Sequence, residues 1–399
     1  MGKKVCFLIY YMRTFLVCTS FIVLIASCKK ETVSLYINNF TPKGDGYGAI
    51  VTITGHGFGL NAKVYFSGTQ ATIHFNSDSL LIVSVPQGAK SGKISVSTDM
   101  RIVMSLEDFE IFTSNWSTAA PYPGDAGVRS IAFDINGIGY IGGGHNGDFD
   151  APDFYQYNPV SNIWTRKNDM PYPVDRAGSA SLNNIGYVIA GHSTVINQLP
   201  KSVWSYDPVL NSWSRKADFP GLSKVGAVAV SLQNKIYFGV ASSGGDLGKQ
   251  ENDWWAYDPA IDQWTQKANF PVQENNISET YAFVLNGFAY VGIYGNDKAT
   301  SFYKYDPRSD QWSKSAELVP IDYLGGAVAF SLNGKGVIAG GDANYVYVYD
   351  PVTDSWSRTT SLPKQVSLGA VFSIDNHAYC GTGLDSGYHV QAIYMFSYQ

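Results

Sequence analysis

The sequence predicts an all-β chain: a small β-sandwich followed by a six-bladed β-propeller that its own first strand closes. Three observations carry this. Of 399 residues only 15% are charged while 14% are aromatic, with 27 Tyr and 40 Gly, a balance that suits sheets and excludes disorder, coiled coil and helical bundle. Five segments share one signature, in which Tyr157, Tyr206, Tyr257, Tyr305 and Tyr349 open a Tyr-(Asp/Asn)-Pro turn seven residues before Trp164, Trp213, Trp264, Trp312 and Trp356. Those Trp residues recur 49, 51, 48 and 44 apart, and Trp116 lies 48 before Trp164, which is the period of one propeller blade.

Residues 1–27 read as a signal peptide, with Lys3 and Lys4 at its start and small residues before its end. Arg13 interrupts the apolar run and leaves about 15 residues before Cys28, short of the roughly 20 that span hydrocarbon. Ile25-Ala26-Ser27-Cys28 resembles the bacterial lipobox, and Lys29-Lys30-Glu31 resembles the charged start of Bacteroidota lipoproteins. That resemblance implies acylation at Cys28, a tether over 28–32, and a place in the cell envelope, lipid-anchored at the outer membrane of a Gram-negative bacterium. Removing residues 1–27 takes the formal charge from −5 to −8, so no nucleic-acid partner is expected. Of Cys6, Cys18, Cys28 and Cys380, only Cys380 then keeps a free thiol, which leaves no intramolecular disulfide and no thiolate metal cage.

Residues 33–113 alternate apolar and polar in short runs such as Val51-Thr52-Ile53-Thr54 and Leu81-Ile82-Val83-Ser84, separated by turn residues. That is the pattern of a β-sandwich. Val51-Thr52-Ile53-Thr54-Gly55-His56-Gly57-Phe58-Gly59, with Val64-Tyr65-Phe66-Ser67-Gly68 and Val85-Pro86-Gln87-Gly88, resembles an IPT/TIG domain. The resemblance implies an immunoglobulin-like spacer or accessory binding unit. Gly55, Gly57 and Gly59 follow a strand, but no helix pattern follows them to bind phosphate.

Residues 115–399 hold six units of one internal order. Each has an alternating strand, a turn such as Asn136-Gly137 or Asn286-Gly287, a strand ending in glycine, a variable loop, and the Tyr and Trp strands. Asn-Gly turns make tight hairpins because both residues accept positive φ, and four strands per repeat arranged radially give a propeller. The paired glycines and fixed Tyr–Trp separation resemble kelch repeats. The last unit ends on its Tyr strand, Tyr394 to Gln399, so the Trp116 strand is expected to complete it and leave no free edge.

Aligning the units on Tyr140, Tyr187, Tyr237, Tyr290, Val337 and Tyr379 places Arg129, Arg176, Gly226, Glu279, Gly326 and Leu368 in one column, eleven residues earlier. These begin the innermost strands and are expected to ring the channel mouth. His145 and His192 follow the glycines of neighbouring units, 47 apart like the two arginines. Two Arg forks suit a carboxylate, while Glu279, His145 and His192 are the candidates for proton transfer. The plainer alternative makes them rim residues facing solvent or one another. Tyr281 and Tyr323, with Tyr122, Tyr172 and Tyr388, lie in or near the same loops, where they either stack on sugar rings or pack.

The loop from His145 to Asp153 carries Asp148, Asp150 and Asp153, but its spacing matches no calcium loop, and it is expected to be solvated. No metal and no cofactor are expected. The domain pair also resembles galactose oxidase, yet Cys380 alone supplies no matching copper set. No nucleophile motif of a known hydrolase appears. Two functional expectations remain. One is a non-enzymatic envelope lipoprotein that binds a glycan or a protein on the propeller face. The other follows from the six-unit kelch count, which resembles sialic-acid mutarotases and implies a sugar mutarotase or epimerase.

Overall fold

A computed structural model describes residues 34–399 apart from 100, 112–113, 126, 195–199, 245–250, 273–276, 296–299, 319–323, 342–343, 360 and 399. The signal peptide, Cys28 and Tyr323 lie outside the described residues. Among the described residues every regular element is a strand, and no helix is long and apolar enough to cross a membrane.

Two sheets form the sandwich. One orders Tyr36–Thr41, Ile50–His56, Leu80–Ser84 and Thr72–Asn76; the other orders Gly44–Asp45, Ile102–Ile111, Gly92–Ser97, Lys63–Phe66 and Thr69–Gln70. Strand alternation sends Val51, Ile53, Val64, Phe66, Leu81, Val83, Ile94 and Val96 inward, each at most 1% exposed. At the edge toward the propeller, Gly46 packs on Thr359, and its N–H donates to the Arg358 carbonyl at 3.4 Å. Burial there pushes the Asp45 carboxyl up to about 7 against the pull of the Gly46 and Arg358 amides.

The remaining strands form six four-stranded sheets and a two-stranded ribbon of Leu384–Asp385 with Tyr388–His389. Blade one runs from Ile131–Ile135 to Ile163–Arg166, and blade two from Gly178–Leu182 to Ser212–Lys216. Blade three runs from Lys224–Leu232 to Gln263–Lys267, blade four from Ile277–Leu285 to Gln311–Lys314, and blade five from Ala327–Leu332 to Ser355–Arg358. Blade six joins Ala370–Ile374, His377–Gly381 and Ile393–Tyr398 to Ser114–Ala119, with Trp116 opposite Phe396. Each first strand contacts the first strands of both neighbours, so the ring closes.

The Tyr–Trp signature is a staple between blades. In each of blades one to five the Tyr ring lies 4.9 to 5.1 Å from its own Trp. The Tyr hydroxyl donates to an Asn or Asp five residues on, as Tyr157 does to Asn162 and Tyr257 to Asp262. That acceptor also takes a backbone N–H from the preceding blade, Ala120 for Asn162 and Ala217 for Asp262, while the Trp indole donates to the carbonyl of the same residue. Asn162, Asn211, Asp262, Asp310 and Asp354 all sit at φ between 48 and 55°, a left-handed turn that Asn and Asp tolerate best. Blade six has no such turn, because its two outer strands come from opposite ends of the propeller.

Asp262 makes this staple sensitive to acid. The Tyr257 hydroxyl holds its carboxyl below the usual range, with the Ala217 amide adding to the effect. A carboxyl depressed on folding stabilises the fold above its unfolded value of about 3.9, and that share is lost as pH falls through the folded value. Asn162 and Asn211 make the same bonds without titrating. Asp262→Asn is therefore expected to melt near wild type at pH 7 and to lose less on going to pH 3. Asp262→Ala, which strands two donors, is expected to cost about 1–3 kcal/mol at pH 7. Thermal unfolding at the two pH values checks both.

A second device sets the seams. Seven residues before each alignment position, the first strand offers a side chain to the residue just before the alignment position in the next blade's second strand. Phe133 meets Gly186, Phe283 meets Gly336 and Phe372 meets Gly139, close enough that a Cβ would lie 2.2 to 2.3 Å from the ring. Val230 with Ala289 and Phe330 with Ala378 keep the same sense, and between blades two and three the sizes trade places, Ala180 sharing a core with Ile236. Large opposes small at each seam, as close packing requires.

Candidate functional site

The column chosen by alignment forms the rim of the channel. Arg129, Arg176, Gly226, Gly326 and Leu368 share left-handed φ values of 59, 54, 65, 74 and 58°. That conformation turns each peptide toward its neighbour, and a chain of backbone hydrogen bonds crosses the seams. Leu368 N–H donates to Gly326 O at 2.6 Å, Arg129 to Leu368 at 2.6 Å, Arg176 to Arg129 at 3.1 Å, and Gly226 to Arg176 at 3.0 Å. Blade four departs from this pattern. Its first strand runs on through Glu279 with a bulge after Ile277, and the Thr280 hydroxyl donates to the Gly226 carbonyl instead.

This departure carries Glu279 across the opening. Its carboxylate lies 3.9 Å from the Arg129 guanidinium, although blades one and four are opposite. Arg129, Arg176 and Glu279 are 31, 39 and 22% exposed at the side chain. Burial and the neighbouring Arg176 push the Arg129 pKa down, and Glu279 and Asp175 push it back up; as an arginine it keeps its charge throughout. Arg176 Nε stands 2.9 Å from Asp175 Oδ2, but its N–H is not aligned to donate. Among the described residues neither guanidinium spends a hydrogen bond on the protein. Each guanidinium thus has a carboxylate beside it, Glu279 for Arg129 and Asp175 for Arg176, without a hydrogen bond to it.

The two histidines lie beside them. His145 Nδ1 is 2.9 Å from Asp150 Oδ1, and His192 Nδ1 is 2.8 Å from Asp175 Oδ1. Each imidazole is about one-third exposed, while both carboxylates are buried. Asp150 also ties blade one to blade two, since its Oδ2 accepts the Thr194 N–H and its own N–H donates to the Thr194 hydroxyl. Asp150, Asp175 and His192 bring ligand-type atoms within 4.8 Å of one another.

Some expectations need correction. The loop holding Asp148, Asp150 and Asp153 is not generally solvated: Asp148 is exposed, but Asp150 and Asp153 are 1 and 7% exposed. Asp150 is drawn in by His145 and Thr194, and Asp153 by the Tyr122 hydroxyl and the Asp125 amide. Tyr281 offers no ring face to a ligand, because it is 4% exposed and its hydroxyl donates to the Leu324 carbonyl at 2.6 Å. Tyr122 is likewise buried, whereas Tyr388 is 77% exposed. Cys380 is fully buried, and burial pushes its thiol up to about 12, which makes it inert. Asp175 was not among the sequence candidates. Its signal was an acid in a column that otherwise reads Val128, Val225, Ser278, Gly325 and Ser367.

Comparison with known proteins supports the architecture. The IPT/TIG domain family matches residues 35–111, and the Kelch motif family matches residues 174–220. No curated protein matches the chain. A solved structure described as "Structure of YjhT" superimposes with a TM-score of 0.58 at 17% sequence identity, covering 70% of this chain and 99% of that one. At that identity the likeness concerns the fold alone.

Proposed function

We propose that this chain, an IPT/TIG domain followed by a kelch propeller, binds a carboxylate-bearing glycan at the propeller mouth. One observation carries the reading: Arg129 and Arg176 stand near one another at the rim, partly buried, and among the described residues their guanidinium N–H groups make no hydrogen bond to the protein, although Glu279 lies 3.9 Å from Arg129 and Asp175 2.9 Å from Arg176. Glu279 and Asp175 offset part of the repulsion between them, and the N–H groups that no carboxylate oxygen accepts suit a ligand carboxylate. The narrow rim, which Glu279 spans to within 3.9 Å of Arg129, suits a small or terminal group better than a flat protein surface. The sandwich acts as a spacer. Acylation of Cys28, as the Ile25-Ala26-Ser27-Cys28 sequence indicates, places the protein in the cell envelope, and Cys28→Ala is expected to release it from the membrane fraction.

The test is binding of the full chain in detergent to matched acidic and neutral glycans. Acidic members are expected to bind and to weaken as salt rises. Equal binding of neutral partners overturns the reading, and no binding at all moves it to a protein ligand. A second reading, interconversion of sugar anomers by acid/base chemistry, draws support from the Glu279 carboxylate facing the cations. It predicts NMR-detected exchange of an anomerically pure acidic sugar that Glu279→Gln abolishes.

A further inference from the structure

We propose that the seam between blades one and two holds a divalent transition-metal ion, with Asp150, Asp175 and His192 as its protein ligands. The proposal stands independently of what the mouth binds. The first argument is geometric. Ligand atoms of Asp150, Asp175 and His192 all lie within 4.8 Å of one another. His192 Nδ1 and Asp175 Oδ1 are 2.8 Å apart, a hydrogen bond that would open to about 3.3–3.6 Å on a tetrahedral ion with bonds of about 2.0–2.2 Å.

The second argument concerns the other oxygens. Asp150 Oδ2 accepts the Thr194 N–H, and Asp175 Oδ2 faces Arg176. Asp150 thus has one oxygen fixed by an outer hydrogen bond and one turned to an imidazole, as a ligating carboxylate requires, and Asp175 has one oxygen beside a guanidinium and one turned to an imidazole.

The third argument comes from the repeat itself. Asp175 and His192 form a two-way backbone bridge, with N···O distances of 3.0 and 2.9 Å. Blade six makes the same bridge between Ser367 and Leu384 at 3.0 and 2.8 Å, with no ionisable side chain. The fold therefore does not need these charges. Two carboxylates, each 1% exposed, sit together near the part-exposed Arg176 and Arg129, and Arg129 also answers Glu279; burying charge without full compensation is costly. A divalent ion supplies what is missing. Mixed imidazole and carboxylate donors suit Zn2+ and its first-row neighbours, whereas Ca2+ requires six or more oxygens.

Zn2+ titrated by calorimetry into the full chain, in detergent, stripped with a chelator and free of a histidine tag, tests the site. One ion per chain is expected. Asp175→Asn and His192→Ala are each expected to weaken it about 100-fold or more, while Leu384→Ala at the blade-six bridge leaves it unchanged. Co2+ gives a reading that needs no variant, because visible absorption bands are expected and one equivalent of Zn2+ should erase them. A wild-type chain that shows no stoichiometric binding and no Co2+ bands overturns the proposal. So does a folded His192→Ala chain that binds as wild type does.

Discussion

Gly186→Ile is expected to break the seam between blades one and two, and adding Phe133→Ala is expected to mend most of the damage. A Cβ at Gly186 would lie 2.3 Å from Phe133 Cζ and 2.4 Å from Cε2. The ring has nowhere to go. Phe133 is 5% exposed, stacks on Tyr140 at 5.7 Å between centroids, and meets Phe154 at 6.0 Å. Overpacking of this kind costs about 1–3 kcal/mol for modest additions; a whole isoleucine against an immobile ring is expected to reach the top of that range or exceed it. Phe133→Ala alone leaves a cavity and is expected to cost about 3–5 kcal/mol. The double variant, however, reproduces the Ala180–Ile236 pairing that the protein already uses one seam further on. The two changes should therefore couple favourably by about 2 kcal/mol or more in a double-mutant cycle measured by urea unfolding. If the double variant is destabilised by the sum of the singles, size pairing across the seams is not what sets this contact.

The repeat made most of this architecture readable, and also limited what could be read. Counting back eleven residues from the alignment tyrosines found Arg129 and Arg176 at the rim because five of the six blades carry a left-handed residue at that position. Glu279 was found by the same count, yet its strand starts differently, and what matters is that it crosses the opening toward Arg129. The burial of Asp150 depends on Thr194, 44 residues away in the next blade, and nothing in the local loop records that contact. Tyr281 looked like a loop aromatic because it precedes the alternating run. In fact the strand Ile277–Leu285 includes it and buries it against Leu324. The Phe–Gly seams escaped notice for a related reason. Each partner looks ordinary within its own blade, and the pairing shows only when one column is read against a different column of the next repeat.

Arg129→Leu is expected to leave the fold as stable as wild type while weakening an acidic sugar by about 10- to 100-fold. The backbone accepts the change, because Leu368 already occupies the equivalent rim position at φ 58°, against 59° for Arg129. The rim bond from residue 129 to the Leu368 carbonyl uses only the main chain and survives. What is lost electrostatically is small. The Glu279 contact is 3.9 Å long and partly exposed, a kind of pair worth about 0–1 kcal/mol. What is removed is a partly buried cation held against Arg176, whose repulsion and desolvation both disfavour its charge. The two losses roughly offset, so the melting temperature should barely move. Binding should respond in the opposite way, since a charge-assisted hydrogen bond contributes about 1.5–3 kcal/mol. Calorimetric titration of a hexuronic acid against wild type, Arg129→Leu and Arg129→Lys separates charge from shape. The lysine restores the charge without the planar fork, so it should recover part of the affinity and most of the salt dependence. A leucine variant that binds the acid as wild type does would leave Arg129 a rim residue and nothing more.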